Sequence, residues 1–329
     1  MPGTRIRGLI AAVSLSSIAA ALACGGPPPK PPSRLFAADS GHFAIGSLID
    51  PNPAAGTVTV DRIIAGANTG LSNNIGSLAF DAANDRLYVG NGITIRVFEQ
   101  ASRAEGNVAP SRIITYASGG GNTGSLFLDT ANNRLYVGDD LNGVRVFNNA
   151  SAINGVAAND RLITLGLGLV QGIAVDTGRN ILYVSLRAPS GESGIVVYDG
   201  ADAVRGNPLP ARIIVAHSDQ RDFPVAGLFL DAAHDRLYAA GWTFFQVMVF
   251  DSVSTADGLT APTKTLELPN SGSLVTSVFV DVANDRLYAV GANAIAIVPN
   301  VSTASGAVAA TMVLAPQPFG SFTALVVGP

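Results

Sequence analysis

The chain has little charge and almost no cysteine. Of its 329 residues 13% are charged, and Cys24 is the single cysteine. No disulfide can form within the chain, so the fold must be held by its core. Acidic residues number 24 against 20 basic ones, and no basic run occurs. That balance argues against nucleic acid as a partner, because such binding needs Lys and Arg gathered on one face. Several catalytic signatures are missing as well: there is no G-x-S-x-G, no H-E-x-x-H, no C-x-x-C and no EF-hand loop. Residues 119–124, GGGNTG, do satisfy G-x-G-x-x-G, but they lie between two strands with no helix to present amides to a phosphate, and read as a loop. What the chain has in quantity is glycine (36), proline (19) and hydrophobic residues (48%), the means for many turns around a sizeable core.

The organising feature is a repeat. DAANDRLYVGNGITIRVF from Asp81 returns from Asp129, Asp176, Asp231 and Asp281. A recurrence of about fifty residues marks a propeller blade or a solenoid unit. Within a copy, β-branched and aromatic runs such as 78–80, 87–89 and 93–98 are separated by Asn84-Asp85 and Asn91-Gly92, which are hairpin signals. After Phe98 comes a longer excursion, EQASRAEGNVAPS, and 112–116 returns as a fourth strand. Four short strands per repeat form a propeller blade. The first copy, from Arg34, lacks a leading strand, and residues 322–327 match that missing piece at the other end of the chain. The expected fold is therefore all-β: a six-bladed β-propeller over 34–329, closed by the C-terminal strand completing the N-terminal blade. The blades fall at 323–328 with 34–64, then 76–116, 124–165, 171–215, 225–268 and 275–314.

Residues 1–23 read as a leader. Arg5 and Arg7 provide a positive start, 9–22 an apolar stretch too short to cross a bilayer, and 20–23 a small-residue cleavage site. With Cys24 next, the segment resembles a bacterial lipobox, although Ala21 stands where Leu is usual. The resemblance implies lipidation of Cys24, which becomes the mature N-terminus, and a place in the cell envelope, at the outer membrane on its periplasmic side or at the cell surface. Without a lipobox, the same residues are an ordinary signal peptide with an incidental cysteine. Residues 24–33 then form a proline-rich tether. Losing Arg5 and Arg7 leaves 18 basic residues against 24 acidic ones.

The aspartate that ends each first strand accepts hydrogen bonds from turn amides, and the arginine opening the next strand is placed to pair with it. A device present in nearly every blade is architectural. The excursions read as packing around the outer edge of each blade through a single helical turn and a tight return, with a repeated partner surface as the alternative. These signatures, above all D-x-x-x-x-R-L-Y-V, resemble the NHL and YVTN-type repeats of bacterial envelope propellers over about 34–329. That resemblance implies the fold; family members bind and act on very different things.

Chemistry is expected in the non-repeated loops at the channel mouth, where propeller ligands usually sit. Candidates are Asp139, Asp140, Arg187, Glu192, His217, Asp219, Arg221, Asp222 and Trp242, with Asp39, His42, Asn91 and Asn293 also in such loops. The fourth repeat carries both insertions, RAPSGESG and HSDQRDFP. His217 with Asp219 or Asp222 reads as a general-base pair, as ligands for a hard cation, or as a solvated loop. Trp242 with Phe244 and Phe245 reads as an aromatic platform or as core. His234, in a repeated turn, is expected to be exposed. Lactonase-like six-bladed propellers hold a central calcium with acidic and amide groups, whereas the strand starts here offer Ser77, Ser125, Gln171, Thr276 and Thr323. The expectation is a monomeric, lipid-anchored module that binds an envelope protein or a small ligand, with no cofactor and no catalytic residue assigned. The alternative is a lactonase-type sugar-acid hydrolase using a divalent cation such as calcium in the funnel.

Overall fold

The computed structural model describes residues 34–49, 60–117, 119–141, 143–166, 168–187, 193–218, 221–222, 225–241, 245–268, 274–291, 294–314 and 322–328, with backbone alone at 193, 216–218, 221–222 and 312–314. Six antiparallel sheets of four principal strands follow one another along the chain. In the second blade the strands run Ile75–Asp81, Arg86–Asn91, Thr94–Glu99 and Arg112–Tyr116 from innermost to outermost. The first blade takes its innermost strand from the far end of the chain: Phe322–Gly328 pairs antiparallel with Arg34–Asp39, with Leu35 opposite Val327 and Ala37 opposite Leu325. The expected six-bladed architecture and its split first blade are both observed. Among the described residues no helix is long and apolar enough to cross a membrane.

The core consists of six apolar clusters, each filling the interface between two neighbouring blades. This follows from the period-two pattern of the strands, whose two faces both meet a neighbouring blade and so both bury apolar side chains. The last interface joins Tyr288, Val290, Ile295 and Ile297 of the sixth blade to Leu35, Leu48, Phe322 and Leu325 of the first. Closing the ring leaves no face of a sheet unpacked. The Tyr of each R-L-Y is almost fully buried, and Tyr88 and Tyr136 donate their hydroxyls to Ala150 O (3.3 Å) and Ala201 O (3.1 Å) in the next blade. The glycine that follows in R-L-Y-V-G is steric: a Cβ at Gly138 would lie 2.4 Å from Val170 Cγ1 of the next innermost strand.

The repeated aspartates do what the sequence suggests. Asp81 accepts from Asn84 N (3.2 Å) and Nδ2 (2.8 Å), and Asp129, Asp176, Asp231 and Asp281 make equivalent turns. His234, expected to be exposed, has a 63% exposed side chain, and its Nδ1 takes the amide's place 2.7 Å from Asp231. The repeated arginine pairs as expected and meets a second acid. Arg86 stands opposite Asp81 in register and forms an ion pair with it at 3.6 Å, while its Nε donates to Glu99 at 2.7 Å. Arg236 likewise binds Asp251. The reason is geometric: the third strand also presents an acid opposite the arginine, and that acid is free of turn amides.

The excursions act between blades. After its helical turn, as at Val253–Thr255, the chain lays a short parallel strand on the outer edge of the preceding blade: 155–157 pairs with 114–116, and 258–260 with 214–216. Gly106, Gly155, Gly206, Gly258 and Gly306 all take the left-handed conformation there, at φ 66 to 79, which explains the glycine these excursions share. Outer-strand arginines fasten the clasp, with Arg112 Nη1 donating to Ala150 O (3.0 Å) and Ile153 O (2.9 Å). Covering the outer strand in this way removes an edge that would otherwise pair with other chains.

Candidate functional site

All six innermost strands begin at one end of the ring, here called the mouth, where the turns joining second to third strands also lie. Every innermost strand bulges close to that end, at Gly76, Gly124, Gln171, 226–227, Thr276 and Thr323. Bulges recur at the rims of closed sheets, where they re-aim side chains. Below them runs a channel of ≈ 220 Å³ whose upper tier is Gly, Ser, Thr and Gln171, and whose lower tier is apolar, including Phe80, Phe127, Phe229 and Phe279. The rings of Phe229 and Phe279 are 4.8 Å apart. No charged residue lines it among the described residues. The buried Ser77 hydroxyl and that of Thr323 have no hydrogen-bond partner.

The mouth-side polar residues of the first three blades are engaged in building their own turns. Asp39, fully buried, accepts from Gly41 N (2.8 Å) and His42 N (3.2 Å), with His42 Nδ1 3.0 Å from its other oxygen. Asn91 Oδ1 accepts from Ser72 N (2.9 Å) and Oγ (3.1 Å). Asp139, also fully buried, forms an ion pair with Arg145 Nε at 2.7 Å and accepts from Leu141 N at 2.9 Å. Arg145 in turn donates to Asn159 Oδ1 (3.0 Å) and Gly119 O (2.8 Å) and lies 5.2 Å from the Tyr116 ring. Burial pushes the Tyr116 phenol well above its ordinary range, so it stays neutral and hydrogen-bonded to Thr123. Asp139 is thus committed to the interior of the third blade.

Asp140 is half-buried beside it and accepts from Asn122 Nδ2 at 3.2 Å. Arg187 is exposed at the end of the lengthened second strand of the fourth blade, in register with Ser193. Within the HSDQRD insertion 217–218 pair antiparallel with 221–222, His217 opposite Asp222 and Ser218 opposite Arg221 in backbone register. Cys24, Glu192, Asp219, Trp242, Phe244 and Asn293 lie outside the described residues, as do the leader and the tether. Phe245 packs half-buried against the fifth–sixth blade core, in keeping with its reading as core.

What sequence reasoning passed over is apolar. Phe43 (47% exposed), Ile93 (51%) and Leu141 (75%) occupy the tips of the second-to-third-strand turns of three successive blades. Phe43 holds φ at 55, a left-handed conformation that a bulky side chain rarely adopts. Ile93, the first residue of the apolar run 93–98, falls in the turn because the strand begins only at Thr94. The turns of the second and third blades are stitched together, Gly92 N donating to Asn74 O (2.9 Å), Thr123 N to Gly92 O (2.9 Å) and Asp140 N to Asn122 O (3.1 Å). The turns that carry Ile93 and Leu141 are therefore tied to one another.

No family model matches the chain, and no curated protein matches it. Among solved structures, a chain of a nidogen/laminin complex matches with a TM-score of 0.61 at 14% identity, over 90% of this chain and 98% of that one. The β-propeller domain of Cps50 (Swd1) from Myceliophteria thermophila matches at 13% identity over 73% of this chain and 70% of its own, with a TM-score of 0.48. At such identities the first match speaks for the propeller fold alone, and the second adds nothing to it.

Proposed function

We propose that the chain is a protein-binding module whose docking surface is the mouth face. One observation carries the reading: three adjacent blades lift Phe43, Ile93 and Leu141 into solvent at that face, while the polar groups beneath them are tied into their own turns. Exposed apolar residues grouped on one face suit contact recognition. The uncharged channel offers little to acid–base or metal chemistry, so the hydrolase reading is not favoured. The nidogen/laminin match is a protein seen in complex with another protein, which accords with this use. Asp140, Arg187, Glu192, His217, Asp219, Arg221, Asp222 and Trp242 are proposed as the polar flank of the surface. Kinship with NHL and YVTN-type propellers, lipidation of Cys24 and attachment of a monomer to the cell envelope belong to the same proposal, and rest on sequence.

Replacing Phe43, Ile93 and Leu141 together by Ser tests the reading. All three are exposed, so the melting temperature is expected to stay within a degree or two, as for about ±0.5 kcal/mol at surface sites. Affinity for a partner isolated on the wild-type chain is expected to fall at least about tenfold, which is 1.4 kcal/mol. A control replacing the rim residues Val156, Leu209 and Leu259 by Ser should bind normally. Full affinity in the mouth variant, or its loss in the rim control alone, sinks the proposal.

A further inference from the structure

The innermost strands leave one edge unused. In all six sheets the innermost strand pairs with a neighbour on one side only, so its other edge turns backbone N–H and C=O groups toward the channel. The channel wall is therefore supplied all round with neutral donors and acceptors, groups that require a partner when buried.

Among the described residues of that wall, Gln171 alone adds a long polar side chain. It stands half-buried at the bulge of the fourth blade, where the other blades carry glycine, alanine or threonine. Its carboxamide makes no hydrogen bond with any described residue. Such a group offers both an acceptor oxygen and an N–H donor.

Three residues further along each strand the wall turns aromatic. Phe127, Phe229 and Phe279 share one level, each in register with the tyrosine of its R-L-Y, and all three are half-buried and line the channel. At that level the second and fourth blades carry only Ala79 and Ala174, and the channel continues between them. An apolar cavity of about 150 Å³ holds one benzene. The ≈ 220 Å³ here has room for one ring that carries a polar group. A charged ligand would meet no opposite charge among the described lining residues, and burying an unpaired charge is costly. The aromatic level lies about 10 Å along the strand from the bulges. That is too deep for a side chain reaching in from a partner's backbone at the rim, so the occupant is a free molecule.

We propose that the channel binds one small neutral aromatic molecule bearing a group that both donates and accepts hydrogen bonds, such as a carboxamide or a phenol. The polar group meets the Gln171 carboxamide, and the ring lies among Phe127, Phe229 and Phe279. This site is separate from the apolar tips of the mouth face and stands whether or not that face binds protein.

Isothermal titration calorimetry of the full chain tests it, with benzamide, phenol, benzoate and cyclohexanecarboxamide as probes. Benzamide and phenol are expected to bind saturably at a single equivalent. Benzoate matches benzamide in size but is charged, and should bind at least about tenfold more weakly. Cyclohexanecarboxamide keeps the polar group without the aromatic ring and should also be weaker than benzamide. Gln171→Leu removes the carboxamide without breaking a hydrogen bond, so the melting temperature should hold while benzamide affinity falls about tenfold. Gln171→Trp fills the channel below the mouth and should abolish binding. A wild-type chain that takes up neither benzamide nor phenol overturns the proposal. So does benzoate or cyclohexanecarboxamide bound as tightly as benzamide, or benzamide binding that survives both Gln171 variants. No partner protein enters the test, so its failure leaves the mouth reading intact.

Discussion

A chain ending at residue 321 is expected to lose cooperative folding. The strand Phe322–Gly328 is the innermost strand of the first blade, and it packs in both directions around the ring. Phe322 and Leu325 fill the interface with the sixth blade, while Ala324 and Val326 fill that with the second. Burying Phe322, Leu325 and Val326 contributes about 1.5–3 kcal/mol each. Together with the backbone ladder to Arg34–Asp39, the loss is comparable to the whole stability of a domain, about 5–15 kcal/mol. The cut also bares the edge of 34–39, an invitation to aggregation. Circular dichroism through a urea titration checks this. Adding a peptide of residues 322–329 should restore part of the transition by strand addition. A truncated chain that unfolds at the wild-type midpoint would show that the ring does not depend on this strand.

Arg145→Met is expected to be the most damaging single substitution on the mouth side. It leaves the Asp139 carboxylate, 0% exposed, without its cation. Breaking a buried pair from one side costs about 3–5 kcal/mol, because the remaining charge is uncompensated. It also removes the donors to Gly119 O and Asn159 that hold the third blade's loops together. The double variant Arg145→Met with Asp139→Leu should recover much of the loss, since no buried charge is left over. Chemical denaturation of the three proteins decides it. If the double variant is as unstable as Arg145→Met alone, the pair matters through its hydrogen bonds rather than through charge.

The repeat made the blades legible because everything that defines them is local. The D-x-x-x-x-R-L-Y-V run contains a turn, a strand and the tyrosine that reaches the next blade, and the bounds read from it match the sheets within a few residues. Pairings that skip a strand were harder to read. The left-handed Asp85 binds Ser102 N (2.8 Å) and Oγ (2.6 Å) across 17 residues, and Asp235 and Asp285 do the same with Ser254 and Ser302. Such pairs recur in the sequence but have no meaning until the excursion is known to fold back. The pairing of Arg86 with Asp81 is legible within the run, whereas its second acid, Glu99, comes from the third strand. At the mouth, Asp39 and Asp139 have the residue types of ligands, yet a strand-end aspartate next to a turn meets backbone amides before it meets anything else. Phe43, Ile93 and Leu141 escaped notice because an apolar residue in a strand-rich repeat is expected to be core.

Site-specific photo-cross-linking is the most direct measurement of whether the mouth is the working face. A benzophenone amino acid is placed at Leu141, on the mouth, and separately at Val282, which is 44% exposed in a turn on the opposite face. The full chain is irradiated in its native cells. The account predicts one discrete protein adduct from position 141, lost when Phe43 and Ile93 are changed to Ser, and none from position 282. An adduct from 282 with none from 141 would contradict it.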